Sequence, residues 1–363
     1  MKVLIVCTVP FDLNGISSVI MNYYENMNRQ DIKFDFVTYN TVEPRYRDII
    51  EKNGDRIFLL SHRKKKVISY IRKLKKLLKK EHYDIMHVHG NSALMEIELF
   101  AAKHDKCKKV VHAHSTQCTY KLFHKILYKS FLQNLDYALA CSEDAGKWLY
   151  QDNIEYKVLI NGINPEKYAF NEDVRKKVRK ELRVENEIVI GHVGNFVEIK
   201  NHHFLIDVFE EAVKIDHRSR LILIGEGKLK EEIETYVASK HLEDKVIFTG
   251  STPKVDRYLQ SMDVFILPSL QEGFPVSAIE AQAAGLPCVF SGSLTRKMKI
   301  TENVEYLDFS LGTKRWAEIT LQMEENSVRK NQVEKIREAG LDIRSEAENL
   351  RSFYQSIVSG ESK

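Results

Sequence analysis

The sequence of 363 residues has no long hydrophobic run and only five cysteines. No apolar segment approaches the roughly 18 to 20 residues that a membrane-spanning helix needs, so no such helix is expected. The first residues, MKVLIV, are typical of a buried strand and are too short for the apolar core of a secretion signal. The cysteines form neither a CxxC pair nor a disulfide framework, which favours a reducing compartment. These absences predict a cytoplasmic protein, and they leave open peripheral attachment to the inner face of the plasma membrane.

Two further absences limit the chemistry. The sequence has no Asp-x-Asp pattern that would hold a divalent metal ion on a diphosphate, and no residue stands out as a covalent nucleophile. The formal net charge is only +4, which is too small to indicate a nucleic-acid partner. We therefore expect no metal site, no cofactor and no nucleic acid.

The length and the pattern of apolar runs predict two α/β domains. A chain of 363 residues exceeds the size at which a single hydrophobic core usually stops growing. Short apolar runs alternate with helical patterns, which indicates parallel sheets covered by helices on both faces. Ligands of such sheets bind beyond the carboxyl ends of the strands. The composition becomes strongly charged between Asn164 and Glu187, so we expect a domain boundary near residues 165 and 166.

The most informative stretch is FILPSLQEGFPVSAIEAQAAGLPCVF, from Phe265 to Phe290. It predicts a buried strand, then a loop at Gly273-Phe274-Pro275 in which the backbone can approach a ligand closely. A helix is expected next, with Pro275 in its first position and Val276 on its apolar stripe. Free N–H groups at a helix start of this kind form an anion-binding site.

Two acidic residues, Glu272 and Glu280, flank the predicted helix start. Glu280 lies three residues after Ser277, which is the spacing of a capping box, and Glu272 has the position of an ordinary solvated loop acid. The alternative is that both carboxylates accept hydrogen bonds from sugar hydroxyls beside a phosphate-binding helix start. The pattern of acids alone leaves both interpretations open.

The segment LPSLQEGFPVSAIEAQAAGLPCVFSG resembles the donor-sugar signature of the retaining glycosyltransferases of family 4, and most closely their bacterial capsule and exopolysaccharide branch. Both acids, the Gly-Phe-Pro, the Glu-Ala-Gln and the Ala-Gly-Leu-Pro occur in one register. The resemblance implies the GT-B fold, an α/β architecture of two Rossmann-like doubly wound domains facing a central cleft. It also implies that residues 1–165 form an acceptor-side domain joined by a final helix at 345–363, and that residues 166–344 bind the nucleotide-sugar donor.

The resemblance assigns roles to several donor-side residues. Glu272 would hold the hexose hydroxyls and Glu280 the ribose hydroxyls. Lys200 and the helix start would hold the donor diphosphate, and Thr252 lies in the loop where relatives hold the nucleotide base. Asn195 stands where the family has an arginine on the diphosphate, so one cationic donor is missing. The donor-binding set is Gly15, Asn195, Lys200, Thr252, Glu272, Gly273, Phe274, Pro275, Val276 and Glu280.

Two histidine pairs and one glycine are candidates on the acceptor side. Alternation along a strand puts His87 and His89 on one face, and likewise His112 and His114, which raises the question of a metal site. No cysteine or carboxylate cluster completes such a site, so core or capping histidines are favoured. By the resemblance, His114 lies near the donor hexose and the acceptor, and His89 lies at a more variable cleft position. Gly15 is either a structural turn residue or the place where an acceptor or donor phosphate approaches the backbone.

The segment Arg63–Lys80 has apolar residues at helical spacing and lysines on its other side. One interpretation is a helix with a solvated face. The other is an electrostatic contact with anionic lipid, because acids do not balance the basic residues. The second interpretation fits the resembled family, whose acceptors are often lipid-linked.

Together these features predict a retaining, metal-independent glycosyltransferase. It would move a hexose or N-acetylhexosamine from a UDP-linked donor to a lipid-linked or growing surface polysaccharide acceptor, with His114, Lys200 and Glu272 as catalytic residues. By the resemblance, the acceptor hydroxyl attacks from the face that the nucleotide leaves, and a donor phosphate oxygen takes its proton. Two alternatives remain: a nucleotide-sugar epimerase on the same scaffold, and a catalytically weak assembly subunit, suggested by Asn195.

Overall fold

The computed structural model describes residues 1–39, 41–272, 274–325 and 328–360. The chain forms two compact units, one made of Met1–Gly162 with the chain from Ile343 onward, the other of Ile163–Asp342. The sequence had suggested divisions at 165/166 and 344/345. Because the second crossing precedes the helix Ile343–Ser359, this final helix belongs to the first unit.

In the described part of the first unit, seven strands form one parallel sheet. The strands are β1 (Lys2–Cys7), β2 (Lys33–Thr38), β3 (Arg56–Leu59), β4 (Ile85–Gly90), β5 (Lys108–Ala113), β6 (Tyr137–Ala140) and β7 (Lys157–Val158). Their order is β3-β2-β1-β4-β5-β6-β7. The winding direction reverses between β1 and β4, so the loops after these two strands lie at the switch point where doubly wound sheets bind ligands.

The described residues of the second unit contain a parallel sheet of six strands. They are β8 (Ile188–Val193), β9 (Ser219–Ile224), β10 (Val246–Gly250), β11 (Val264–Leu267), β12 (Cys288–Ser291) and β13 (Val304–Leu307), in the order β10-β9-β8-β11-β12-β13. The switch point here lies between β8 and β11. Strand β13, with the sequence VEYL, was not predicted from the sequence.

Helices connect the strands throughout the described chain. They are α1 (Gly15–Asn26), α2 (Pro44–Lys52), α3 (Val67–Glu81), α4 (Glu96–Ala101), α5 (Lys121–Asn134), α6 (Glu143–Tyr150), α7 (Pro165–Tyr168), α8 (Glu172–Leu182), α9 (His202–Ile215), α10 (Lys230–Ser239), α11 (Val255–Ser261), α12 (Val276–Ala283), α13 (Gly312–Glu325), α14 (Val333–Glu338) and α15 (Ile343–Ser359). In the ranges that the structure describes, none of these helices is both long enough and apolar enough to cross a bilayer.

Alternation along the strands of the first sheet builds two separate cores. Val3 and Ile5 of β1 pack with α1, α2 and α15, whereas Leu4 and Val6 pack on the other face with α3, α4, α5 and α6. Successive side chains of a strand point to opposite faces, so a continuous apolar run such as KVLIVC supplies both cores. Helices therefore cover both faces of this sheet.

The second unit has the same layered construction. Ile190 of β8 and Ile266 of β11 pack with α9, α10 and α13, around the buried Trp316. The indole N–H of Trp316 donates to the Asp308 carbonyl at 3.0 Å, which satisfies its polar group. The alternate residue Phe265 points to the opposite face of the sheet. Both units are thus Rossmann-like, and the predicted α/β fold class is confirmed.

Candidate active site

The loops after β8 and β11 meet at the switch point of the second sheet. The two strands are parallel neighbours, and the Leu270 N–H donates to the Ile199 carbonyl at 2.8 Å, which joins the two loops. As a result Lys200, from the first loop, forms an ion pair with Glu272, from the second. The Ser269 hydroxyl donates to the same Glu272 oxygen at 2.8 Å. The structure therefore brings together the two predicted catalytic residues of this unit, both largely buried.

A hydrogen-bond network supports the loop that carries Glu272. Ser291, at the end of β12, donates its hydroxyl to the Ser269 carbonyl at 2.5 Å, and Ser293 donates to the same carbonyl at 3.1 Å. Ser269 is therefore fixed at both its backbone and its side chain. A carboxylate held in this way beside an ammonium group can accept sugar hydroxyls while the ammonium binds a phosphate.

Asn195 is exposed on the loop after β8, and that loop packs closely on the turn after β9. A Cβ atom at Gly225, where φ is +151°, would lie 2.1 Å from the Gly194 carbonyl oxygen. A Cβ at Gly227 would lie 2.5 Å from the Phe196 carbonyl oxygen. Only glycine fits at either place. The turn Gly225-Glu226-Gly227 therefore packs tightly against the loop after β8 and sets the position of Asn195 on that loop.

The helix α12 starts one residue later than the sequence suggested. Pro275 is its N-cap residue, not its first helical residue, and no side chain caps the helix. The predicted alternative of a capping box between Ser277 and Glu280 is therefore wrong. Glu280 instead accepts a hydrogen bond from the Tyr168 hydroxyl at 2.6 Å. Burial raises the pKa of the Glu280 carboxyl, so this acid is held in a poorly solvated place on the helix.

The remaining donor-side residues are less closely gathered. Phe274 is half-buried just before α12, and Val276 begins the helix. Gly273 lies outside the described residues. Thr252 follows β10, which β9 separates from β8, and its hydroxyl accepts a hydrogen bond from the Lys254 N–H at 3.2 Å.

Gly15 is exposed at the start of α1 in the first unit. Its neighbour Asn14 caps the helix by accepting a hydrogen bond from the Ser17 N–H at 3.1 Å. A Cβ at Gly15 would meet no atom within 4 Å, and the residue does not have a positive φ. Neither packing nor backbone conformation requires glycine here, and the approach of a phosphate to this backbone stays a prediction.

Four histidines lie side by side, three of them on β4 and β5 and the fourth, His114, directly after β5. Residues His89 and His112 are register partners, and alternation puts His87 and His114 on the same face. His87 Nδ1 hydrogen-bonds the Tyr354 hydroxyl at 2.6 Å, and His89 Nδ1 hydrogen-bonds His114 Nε2 at 2.9 Å. Burial lowers the pKa of all four imidazoles, that of His114 to about 3. All four are therefore neutral near pH 7.

A polar pocket that we did not predict from the sequence lies in the first unit. It opens at the switch point between β1 and β4, and its lining includes Thr8, Arg63, Lys64, Asn91, Ser92 and Tyr120. The Thr8 hydroxyl donates to the His89 carbonyl at 2.8 Å, so the pocket adjoins the histidine strand. The sequence signal that points to it is Asn91-Ser92 directly after β4, because ligands of such sheets bind at this edge.

Arg63 is a correction to the predicted basic surface. It is only 3% exposed, and its guanidinium donates to both carboxylate oxygens of Glu98 at 2.6 and 2.8 Å. It is therefore a core ion pair and is not available to lipid. The basic residues of this segment that are exposed are Lys64, Lys65, Lys66, Arg72, Lys73, Lys75, Lys76, Lys79 and Lys80.

The helix α5 has an exposed apolar stripe that the sequence analysis missed. Leu122, Phe123 and Ile126 are 68%, 56% and 64% exposed. Just before the helix, Tyr120 is half-exposed, and the ammonium of Lys64 lies 4.9 Å from the centre of its ring. Contacts run from α3 to α4 and from α4 to α5, so the basic helix and the apolar stripe belong to one helical layer.

Comparisons with known proteins define the class of this fold and site. The family model of group 1 glycosyl transferases matches residues 173–338, and that of Glycosyltransferase Family 4 matches residues 13–167. The putative glycosyltransferase EpsF of Bacillus subtilis (strain 168) is 31% identical over 297 residues, which cover 78% of this chain and 77% of that protein. The UDP-Gal:alpha-D-GlcNAc-diphosphoundecaprenol alpha-1,3-galactosyltransferase of Escherichia coli is 32% identical over 238 residues, 60% of each protein.

A solved structure shows the same fold. The Anabaena protein HepE in complex with UDP-glucose superposes with a TM-score of 0.79 at 16% identity, over 98% of this chain and 100% of that one. Fold and family models together define a glycosyltransferase of the GT-B type. The chain belongs to glycosyltransferase family 4 and is a hexosyltransferase. The predicted family, its surface-polysaccharide branch and the enzyme class are confirmed, and the matches do not favour the epimerase or the assembly subunit.

Proposed function

We propose that this glycosyltransferase is retaining and metal-independent at its donor, and that it moves a hexose or N-acetylhexosamine from a UDP-sugar to a lipid-linked acceptor in surface polysaccharide assembly. The observation that carries the proposal is the convergence of Lys200 and Glu272 at the switch point of the second sheet. The E. coli relative supports the donor and acceptor classes, because its name specifies UDP-galactose and a diphosphoundecaprenol acceptor.

In this proposal the second unit, Ile163–Asp342, holds the donor. Lys200, Asn195, and Phe274, Pro275 and Val276 around the start of α12 bind the diphosphate, Gly273 keeps the role that the sequence predicts for it, and Thr252 binds towards the base. Glu272 accepts hydrogen bonds from hexose hydroxyls and Glu280 from ribose hydroxyls. The Lys200 ammonium, now paired with Glu272, supplies positive charge where the leaving diphosphate becomes more negative. Preorganised donors of this kind need no reorientation during the reaction.

The first unit, Met1–Gly162 with the chain from Ile343 onward, forms the acceptor side. The acceptor hydroxyl attacks the anomeric carbon from the face that UDP leaves, and the bond between that carbon and the diphosphate oxygen breaks. A phosphate oxygen of the departing UDP takes the proton of the acceptor hydroxyl. His114 carries no charge near pH 7, so it acts as a hydrogen-bonding group for the hexose and the acceptor. Gly15 and His89 complete this side. Lys64 in the polar pocket provides an exposed cation for an anionic acceptor headgroup.

An acceptor-dependent UDP release assay tests the proposal. Incubation of the protein with UDP-sugars and membrane extract should release UDP and add sugar to the lipid fraction, with the anomeric configuration of the donor retained by NMR. Lys200→Met should reduce turnover at least a hundredfold, about 2.7 kcal/mol, as losses of single oxyanion-type donors do. The exposed Lys314→Met is the matched control and should leave turnover unchanged. An epimerised donor without transfer, or UDP binding without turnover, would contradict the proposal.

A second part of the proposal is peripheral attachment to an anionic membrane through α3 and α5. The lysines of α3 supply attraction to acidic lipid, and the apolar stripe Leu122, Phe123 and Ile126 on α5 supplies groups that can enter the headgroup region. An exposed apolar stripe beside unbalanced basic charge is the composition expected of a surface that binds lipid.

Liposome co-sedimentation tests the membrane surface. Each basic residue near an anionic membrane contributes about 1 kcal/mol, so Lys73, Lys75 and Lys76 changed together to Gln should weaken binding about a hundredfold at low salt. Changing Leu122, Phe123 and Ile126 to Ser should also weaken it, with a loss that high salt does not remove. The control changes Lys176, Lys177 and Lys180 of α8 to Gln, which removes the same charge from the second unit. Equal loss in the control would contradict a localised surface.

A further inference from the structure

Three histidines of β4 and β5, with His114 directly after β5, leave an unusual number of buried nitrogens without partners. Among the described residues, no hydrogen bond reaches Nε2 of His87, Nε2 of His89, either ring nitrogen of His112, or Nδ1 of His114. Buried polar groups in proteins are nearly always hydrogen-bonded, because desolvation without a partner is costly. The imidazoles therefore require a polar partner.

Three of these imidazoles are arranged as a ligand set. Ligand nitrogens of His87, His89 and His112 all lie within 4.8 Å of one another. Nitrogens bound to one tetrahedral Zn²⁺ at about 2.0–2.1 Å would lie about 3.4 Å apart, so the three rings have to move closer together to bind one ion. The neutral imidazole, with one unprotonated ring nitrogen, is the form of histidine that binds metal.

The partners of the other ring nitrogens also fit a metal site. His87 Nδ1 is held by the Tyr354 hydroxyl, and His89 Nδ1 is held by His114, which leaves Nε2 of both rings directed elsewhere. Metal-binding histidines typically use one ring nitrogen for the ion and the other for an orienting hydrogen bond. A small cavity lined in part by His89 and Tyr354 adjoins the set and gives room for a further ligand such as water.

We propose that His87, His89 and His112 bind one Zn²⁺ ion in the first unit, with a water molecule as the fourth ligand. Three imidazoles with an open position are a ligand set that suits Zn²⁺ among the common divalent ions. With Nε2 of His89 on the ion, its proton resides on Nδ1 and is donated to His114 Nε2. The proton of His114 then lies on Nδ1, so the ion fixes the tautomer of the histidine assigned to the acceptor side. This ion does not replace Lys200 at the donor diphosphate.

Metal analysis of protein made without a polyhistidine tag tests the site. After dialysis against metal-free buffer, we expect about one Zn²⁺ per chain by mass spectrometry, and none after treatment with a strong chelator. Co²⁺ added to the chelator-treated protein should give the visible absorption bands of a four-coordinate ion, saturating at one equivalent, and should raise the melting temperature. Wild-type protein that retains no Zn²⁺ and gives no Co²⁺ bands would overturn the proposal.

Variants assign the ligands. His87→Gln and His112→Gln together should reduce Zn²⁺ to less than a tenth of an equivalent. Two controls should keep the full equivalent: the exposed His104→Gln and His202→Gln, whose ring is buried in the second unit. Full metal content in the double variant, or loss in the controls, would overturn the assignment. If the double variant does not fold, the Co²⁺ titration of the wild type decides alone, because its bands report imidazole coordination directly.

Discussion

Changing Glu280 to Gln separates a role in donor binding from a role in stability. The Tyr168 hydroxyl, 2.6 Å from Glu280, can still donate to the Gln carbonyl oxygen, so the helix contact is kept and only the charge is lost. A hydrogen bond to a charged group contributes about 1.5–3 kcal/mol and a neutral one about 0.5–1.5, a difference of about 1–1.5 kcal/mol for each ribose hydroxyl. We therefore expect kcat/KM for the donor to fall at least tenfold, which is about 1.4 kcal/mol.

Stability should change in the opposite direction. Burial raises the folded-state pKa of Glu280 above its unfolded value, so the ionised carboxylate lowers the stability of the fold above that pKa. The penalty is absent once pH falls below about 4.3, the unfolded value of a glutamate, because the group is then protonated in both states. The Gln variant should thus melt at the wild-type temperature or above it near pH 8, and the difference should shrink as the pH falls.

Steady-state kinetics with UDP-sugar and melting curves between pH 4 and 8 measure both effects. The exposed Glu338→Gln is the matched control and should change neither. Unchanged kcat/KM in Glu280→Gln would refute the ribose assignment. A melting temperature that drops at pH 8 would refute the argument from burial, since it would mean that the ionised carboxylate stabilises the fold.

Three further predictions follow from individual contacts. Asn195→Arg should tighten UDP binding tenfold or more by calorimetry if the new guanidinium reaches the diphosphate; equal or weaker binding would mean that this position does not face phosphate. Gly225→Ala should lower the melting temperature by several degrees, because its Cβ would meet the Gly194 carbonyl at 2.1 Å, and an unchanged value would contradict that contact. Hydrogen bonds from Arg56 and Lys2 lower the pKa of Glu81 to about 2, so the stability that Glu81 adds is present above about pH 4.3 and is lost as the pH falls towards 2. Glu81→Gln should therefore melt below wild type at pH 7 and converge with it at low pH, and a difference independent of pH would contradict the ion pair.

Most of the fold could be predicted because the strands of a parallel sheet are continuous apolar runs. Strand β13 was missed because it is at the edge of its sheet, where Glu305 faces solvent and interrupts the apolar pattern. The position of Arg63 was also misjudged. A charged residue next to three lysines has the pattern of a solvated segment, and its buried partner Glu98 lies 35 positions away along the chain.

The candidate site shows the same division between local and distant information. The pairing of Lys200 with Glu272 follows from the switch-point rule once both are placed after strands. The spacing His-x-His predicted one face for each histidine pair, but not that β4 and β5 are neighbours with His89 opposite His112. Register between strands depends on packing of the whole sheet, and a single sequence does not contain it explicitly.

The position of α15 affects the order in which the protein can fold during synthesis. This helix supplies Ile343, Leu350 and Tyr354 to the core beneath β1 and β4, although the rest of that core lies within the first 162 residues. While the ribosome makes Ile163–Asp342, the nascent first unit therefore exposes the apolar groove that α15 will fill. The described strands of the second unit all precede α15, so this unit can fold before α15 is made. Emergence of α15 from the ribosome thus completes the first unit, and chaperone binding should concentrate on this groove until then.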